Sequence, residues 1–103
     1  MSRQEAFLQM LTPGKNDWAT RDVSPREVAV VTNTDAAEML KGYIEGPVTY
    51  EQLLDWANLL LFNDAFSFED DDLRDCLDRI EESDEPGSEL TSEEVVNMIK
   101  ELV

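Results

Sequence analysis

Between residues 64 and 94 the chain carries fourteen Asp and Glu side chains against two cations, Arg74 and Arg79, a local net charge of −12. Carboxylates at this density suggest four kinds of chemistry: holding calcium, pairing as acid and base, standing in for phosphates, or steering a cationic partner. Leu73, Cys76, Leu77 and Ile80 recur at helical spacing, so a helix starting near Asp70 turns them inward. Asp71, Asp75, Asp78 and Glu82 then form an outward ridge at i, i+4, i+7 and i+11, flanked by Asp70, Asp72 and Glu81 and continued by Asp84 and Glu85. Like charges at such spacing cost a few tenths of a kcal/mol per pair, and Arg74–Asp78 and Asp75–Arg79 would offset only part of that. Phe66 and Phe68 precede the ridge and either plug one end of the fold or serve as apolar anchors inside an acidic rim.

The first two of these chemistries fit poorly, and so does a prosthetic-group carrier. Aligning Glu94 with the last position of a calcium loop puts Ser83, Glu85 and Gly87 at positions one, three and five. Ser88 then stands where the turn needs Gly, and Pro86 lies inside the loop. The Asp-Ser-Leu that carries the prosthetic arm of an acyl carrier protein does not occur; Asp71-Asp72-Leu73 lacks the hydroxyl. A carboxylate pair acting on a glycosidic bond needs a cleft that desolvates one partner, which so small a chain rarely builds. With no His and a single Cys, the usual parts of nucleophilic and zinc chemistry are missing too. Cys76 reads as a small core hydrophobe whose acidic neighbours raise its pKa. The expectation is a non-enzymatic protein with no cofactor and no metal.

The whole chain has 103 residues, 24 acids and 8 bases, a net charge of −16. Eight scattered cations cannot neutralise a run of phosphates, which excludes direct nucleic-acid binding. The charge is lopsided: residues 1–50 hold seven acids and five bases, whereas residues 51–103 hold seventeen acids and three bases. A solubility coating or an adaptation to salt is the plain explanation. A stability-optimised surface would intersperse the signs, so the concentration also points to a cationic partner.

The elements that must position these groups are helical, in a compact all-α single domain of four to five short helices spanning 1–103. Ser2-Arg3-Gln4-Glu5 is a capping box ahead of Phe7, Leu8 and Leu11, and Pro13-Gly14 ends that helix. Residues 13–24 read as a loop holding Trp18. Ser24-Pro25-Arg26-Glu27 is a helix-start signal leading into β-branched Val28 to Thr32, read as one or two helical turns with a short strand as the alternative. Asn33 or Thr34 caps a helix through about Glu45, with Ala36, Ala37, Leu40, Tyr43 and Ile44 inward, stopped by Gly46-Pro47. Thr49-Tyr50-Glu51-Gln52 is a second capping box. It opens a central helix whose stripe is Tyr50, Leu53, Leu54, Ala57, Leu60 and Leu61, widened by Trp56 and Leu59. Ser83 to Ser88 is a loop, and Thr91-Ser92-Glu93-Glu94 caps a last helix with Val95, Met98, Ile99 and Leu102 inward.

One Cys allows no internal disulfide, no secretory signal is visible, and the longest apolar runs, Val28–Val31 and Leu59–Phe62, are far below the roughly 20 residues that cross a bilayer. A strongly anionic chain is also repelled by anionic lipid. These features point to the cytoplasm.

The segment Gly46-Pro47-Val48-Thr49-Tyr50-Glu51-Gln52-Leu53-Leu54-Asp55-Trp56-Ala57 resembles a pattern in small helical bacterial toxin-immunity proteins of the contact-dependent-inhibition and colicin D immunity types. In that pattern a Gly-x-aliphatic-Ser/Thr turn caps a helix bearing Glu, Leu and Trp-Ala. The resemblance covers about a dozen residues and implies a cytoplasmic protein that blocks a cationic nuclease toxin. It transfers no binding residues to the acidic stretch. The expected partner is therefore a basic protein. A nucleic-acid mimic from a phage or plasmid, aimed at a host DNA-binding defence complex, is the alternative.

Overall fold

A computed structural model describes residues 3–11, 29–63 and 65–102. Along the chain run α1 (Arg3–Gln9), β1 (Val30–Val31), α2 (Asn33–Glu45), α3 (Tyr50–Phe62), β2 (Ser67–Phe68), α4 (Asp71–Glu82) and α5 (Ser92–Leu102). The protein is all-α, with five helices among the described residues and one minimal strand pair. No described helix is long and apolar enough to cross a membrane. Ser2, Trp18, the 13–24 loop and the Ser24–Glu27 signal lie outside the described residues.

The stretch read as helical turns is extended where it is described. β1 pairs in parallel with β2, Val30 opposite Ser67 and Val31 opposite Phe68. The Ser67 N–H donates to the Ala29 carbonyl at 2.8 Å and the Glu69 N–H to the Val31 carbonyl at 2.9 Å. β-Branched residues suit this conformation, and alternation sends Val31 into the core while Val30 stays exposed.

Neither Asn33 nor Thr34 caps α2. Thr32 does, its hydroxyl accepting the Asp35 N–H at 3.1 Å while the Asp35 carboxylate accepts the Thr32 N–H at 2.9 Å. Here Asp plays the part usually given to Glu or Gln in a capping box. The inner face of α2 is Ala36, Ala37, Met39 and Leu40, whereas Ile44, expected inside, is 44% exposed. At the other end Gly46 adopts φ 112°, the left-handed conformation glycine tolerates, and the Gly46 and Val48 N–H groups both donate to the Gly42 carbonyl. Gly42 itself permits close approach, since a Cβ there would sit 2.6 Å from both Val48 Cγ2 and Gln4 Nε2.

The Thr49–Gln52 capping box forms as expected. The buried face of α3 is Leu53, Trp56, Ala57, Leu59 and Leu60, with Tyr50, Leu54 and Leu61 at its margins. The stripe is thus rotated toward Trp56, whose ring meets the edge of Phe7 at 5.6 Å and 75°. α3 packs chiefly on α4 and α2 chiefly on α5, while α1 lies across α2 and α3. Leu73, Leu77 and Ile80 of α4 and Val95 and Leu102 of α5 complete the core. Because α4 and α5 each turn their main face to another helix, they touch each other only lightly.

Candidate partner-binding surface

The acidic run divides as it enters α4. Glu69 and Asp70 face back toward α2: the Glu69 carboxylate accepts the Asn33 N–H and Asp70 Oδ2 accepts the Asn33 side-chain amide, each at 2.8 Å. Asp70 Oδ1 also accepts the Leu73 N–H at 3.0 Å and so caps α4. Bonds from Asn33 and from Leu73 hold the Asp70 carboxyl below the usual carboxylate range. Asp70 is therefore exposed, and its two carboxylate oxygens accept bonds that join the starts of two helices.

From Asp71 to Glu85 all but one of the carboxylates face solvent. Asp71, Asp75, Asp78 and Glu82 are all exposed, as the ridge requires, and so are Asp72, Asp84 and Glu85, while Glu81 is half-buried. Acids in the first turn of α4 are favoured by the helix dipole, but the ridge further along gains nothing from it. Neither the Arg74–Asp78 nor the Asp75–Arg79 pair forms among the described residues. Arg79 instead clasps Glu94 with two bonds, Nε to Oε2 at 2.6 Å and Nη2 to Oε1 at 2.8 Å, and donates to the Ser88 carbonyl. The bonds to Glu94, helped by its charge, raise the Arg79 pKa above its ordinary value. They also leave the 91–94 capping box half-made: Thr91 Oγ1 accepts the Glu94 N–H, but the Glu94 carboxylate is engaged by Arg79.

Phe66 and Phe68 do not form an exposed anchor. Phe66 is 9% exposed and belongs to the core, and Phe68 is half-buried against it at the end of β2. Of the two readings, the structure places both rings as plugs. The loop tested as a calcium site is organised by other contacts. Ser83 is buried, its hydroxyl donating to the Ile80 carbonyl and sharing a 2.8 Å bond with Tyr50 OH. Among the described residues no three Asp, Glu or Cys side chains gather as metal ligands.

Where α4 and α5 diverge they leave a groove of 460 Å³. Its floor is Cys76, Met98 and Leu102, and its rim is the exposed Asp72, Asp75 and Glu101, with Arg79 closing one end. On α4 these positions run 72, 75, 76, 79 and on α5 98, 101, 102, so each helix contributes one stripe beside its core face. Burial pushes the Cys76 thiol up to about 12, and the Glu101 charge adds to the effect, so the group stays a neutral thiol. Sequence reasoning missed Glu101 and Met98 as members of this feature. Their i, i+3 spacing was visible, but nothing local said that α4 would lie alongside.

No family model matches the chain, and neither a curated protein nor a solved structure is significantly similar to it.

Proposed function

We propose that the protein is a non-enzymatic inhibitor that docks a cationic protein on the outer surface of α4, and that its partner is a nuclease toxin neutralised in the cytoplasm. The observation that carries this reading is the exposed row Asp71, Asp75, Asp78 and Glu82, in which no carboxylate is hydrogen-bonded or ion-paired to another described side chain. A fold that needed these charges for its own stability would engage them, as it engages Asp35, Glu69 and Asp70. Solvated carboxylates at helical spacing raise the local concentration of a positively charged protein and pair with its guanidinium groups, often bidentately. The row is single and runs along a helix of 12 residues, about 18 Å long. That suits insertion into a basic groove better than imitation of a duplex, which presents two phosphate rows.

The test uses the partner recovered on the immobilised chain from its native host and released by high salt. Asp71→Lys with Asp78→Lys, which leaves the α4–α5 groove intact, is expected to slow association at low salt by about tenfold or more. The difference should shrink as salt rises, because these charges are screened. An unchanged association rate would sink the proposal.

A further inference from the structure

The ridge of α4 is convex, and convex charge steers a partner without holding it. The α4–α5 groove has the complementary geometry. Its rim carries Asp72, Asp75 and Glu101, and its floor of Cys76, Met98 and Leu102 is apolar. Arg79 does not neutralise the rim, since Glu94 and the Ser88 carbonyl already take its guanidinium. Arg74 and Lys100 sit one residue from Asp75 and Glu101, hence about 100° around their helices.

We propose that this groove is the receptor for one arginine side chain presented by the cationic partner. Its guanidinium would lie among Asp72, Asp75 and Glu101, and its methylene stem would lie over Cys76, Met98 and Leu102. This rests on the reading of the chain as a binder of a cationic protein and adds the feature that retains it. Arginine fits because its planar fork bonds carboxylates bidentately and is weakly hydrated, while its stem gains from covering apolar surface. Arginines in concave, partly desolvated pockets are frequent centres of binding energy, whereas exposed rim charges act mainly on encounter. The two features thus divide the work: the ridge sets the rate of arrival and the groove sets residence.

The experiment titrates the full chain with blocked arginine (the N-acetyl methylamide) and with blocked citrulline, its uncharged isostere, following backbone amide shifts by NMR at low salt. Arginine is expected to give saturable shifts centred on Asp75, Cys76, Glu101 and Leu102, and citrulline is not. The triple variant Asp72→Asn/Asp75→Asn/Glu101→Gln should weaken arginine binding at least about tenfold. The matched variant Asp71→Asn/Asp78→Asn/Glu82→Gln removes the same charge and should weaken it less than about threefold. Equal binding of citrulline, or equal weakening by both variants, overturns the groove and leaves a diffuse field. If arginine binds the groove as stated while Asp71→Lys/Asp78→Lys leaves protein association unchanged, the groove stands and the ridge-docking reading alone falls.

Discussion

Carboxylates at the start of α2 and carboxylates along the outside of α4 meet opposite environments. Asp35 is 3% exposed and is gripped by Arg3 through two bonds, Nε to Oδ1 at 2.6 Å and Nη2 to Oδ2 at 2.7 Å. Arg3 also donates to the Val30 carbonyl, so one side chain ties α1 to both β1 and α2. Burial alone would raise the Asp35 pKa, but the Arg3 guanidinium and the Thr32 N–H outweigh it and hold the carboxyl below its ordinary value. On α4, Asp71, Asp75 and Asp78 stand in solvent with no such partner among the described side chains. The first set organises the fold, and the second repels itself. Carboxylate density is thus no guide to role; what each oxygen accepts decides it.

The comparison breaks most readily at Asp35. Asp35→Ala removes the capping box and both carboxylate bonds to Arg3, and is expected to cost about 3 kcal/mol in urea denaturation. Asp78→Ala should stay within about 0.5 kcal/mol of the parent. Equal losses would erase the distinction.

Acid sharpens the same contrast. Because the folded-state pKa of Asp35 is depressed, its stabilisation is fully present above the unfolded value of 3.8 and is lost as pH falls through the folded one. Stability measured down a pH series below about 4 should therefore fall more steeply for the parent than for Asp35→Asn. Parallel curves would show that the carboxyl is not held as the geometry implies.

Asp70 and Asp71 are adjacent yet belong to different sets. Asp70→Ala should lower stability through the lost cap, and Asp71→Ala should lower it by less than half as much in the same thermal or chemical measurement. The smallest effect concerns self-repulsion. Raising salt should stabilise the parent by a few tenths of a kcal/mol, and Asp71→Asn/Asp78→Asn/Glu82→Gln should remove most of that gain. A variant that responds to salt as the parent does would place the repulsion elsewhere.

Helices α2 to α5 and most of their inner residues were legible in the sequence, because a 3.6-residue period and a cap depend only on neighbours within one or two turns. The strand at Val30–Val31 stood only as the alternative to helical turns, since its partner Ser67–Phe68 lies more than thirty residues away and only docking selects extension over a helical turn. Asp35 passed unnoticed because a lone acid in a polar sequence carries no mark of burial; its partner Arg3 is 32 residues away. The same distance problem misassigned Arg79. Local spacing offers it Asp75, whereas the fold brings up Glu94 in a geometry that takes both carboxylate oxygens.

By itself the sequence determined the all-helical class, the inner stripes and the outward acidic row of α4, all consequences of local geometry and of where charge falls along the chain. Tertiary structure alone decided which acids are consumed in holding the molecule together and which remain at its surface. It also made the groove beneath Asp72, Asp75 and Glu101. Those outcomes depend on which helix faces meet, and α4 and α5 leave a gap because each buries its apolar stripe against a different neighbour.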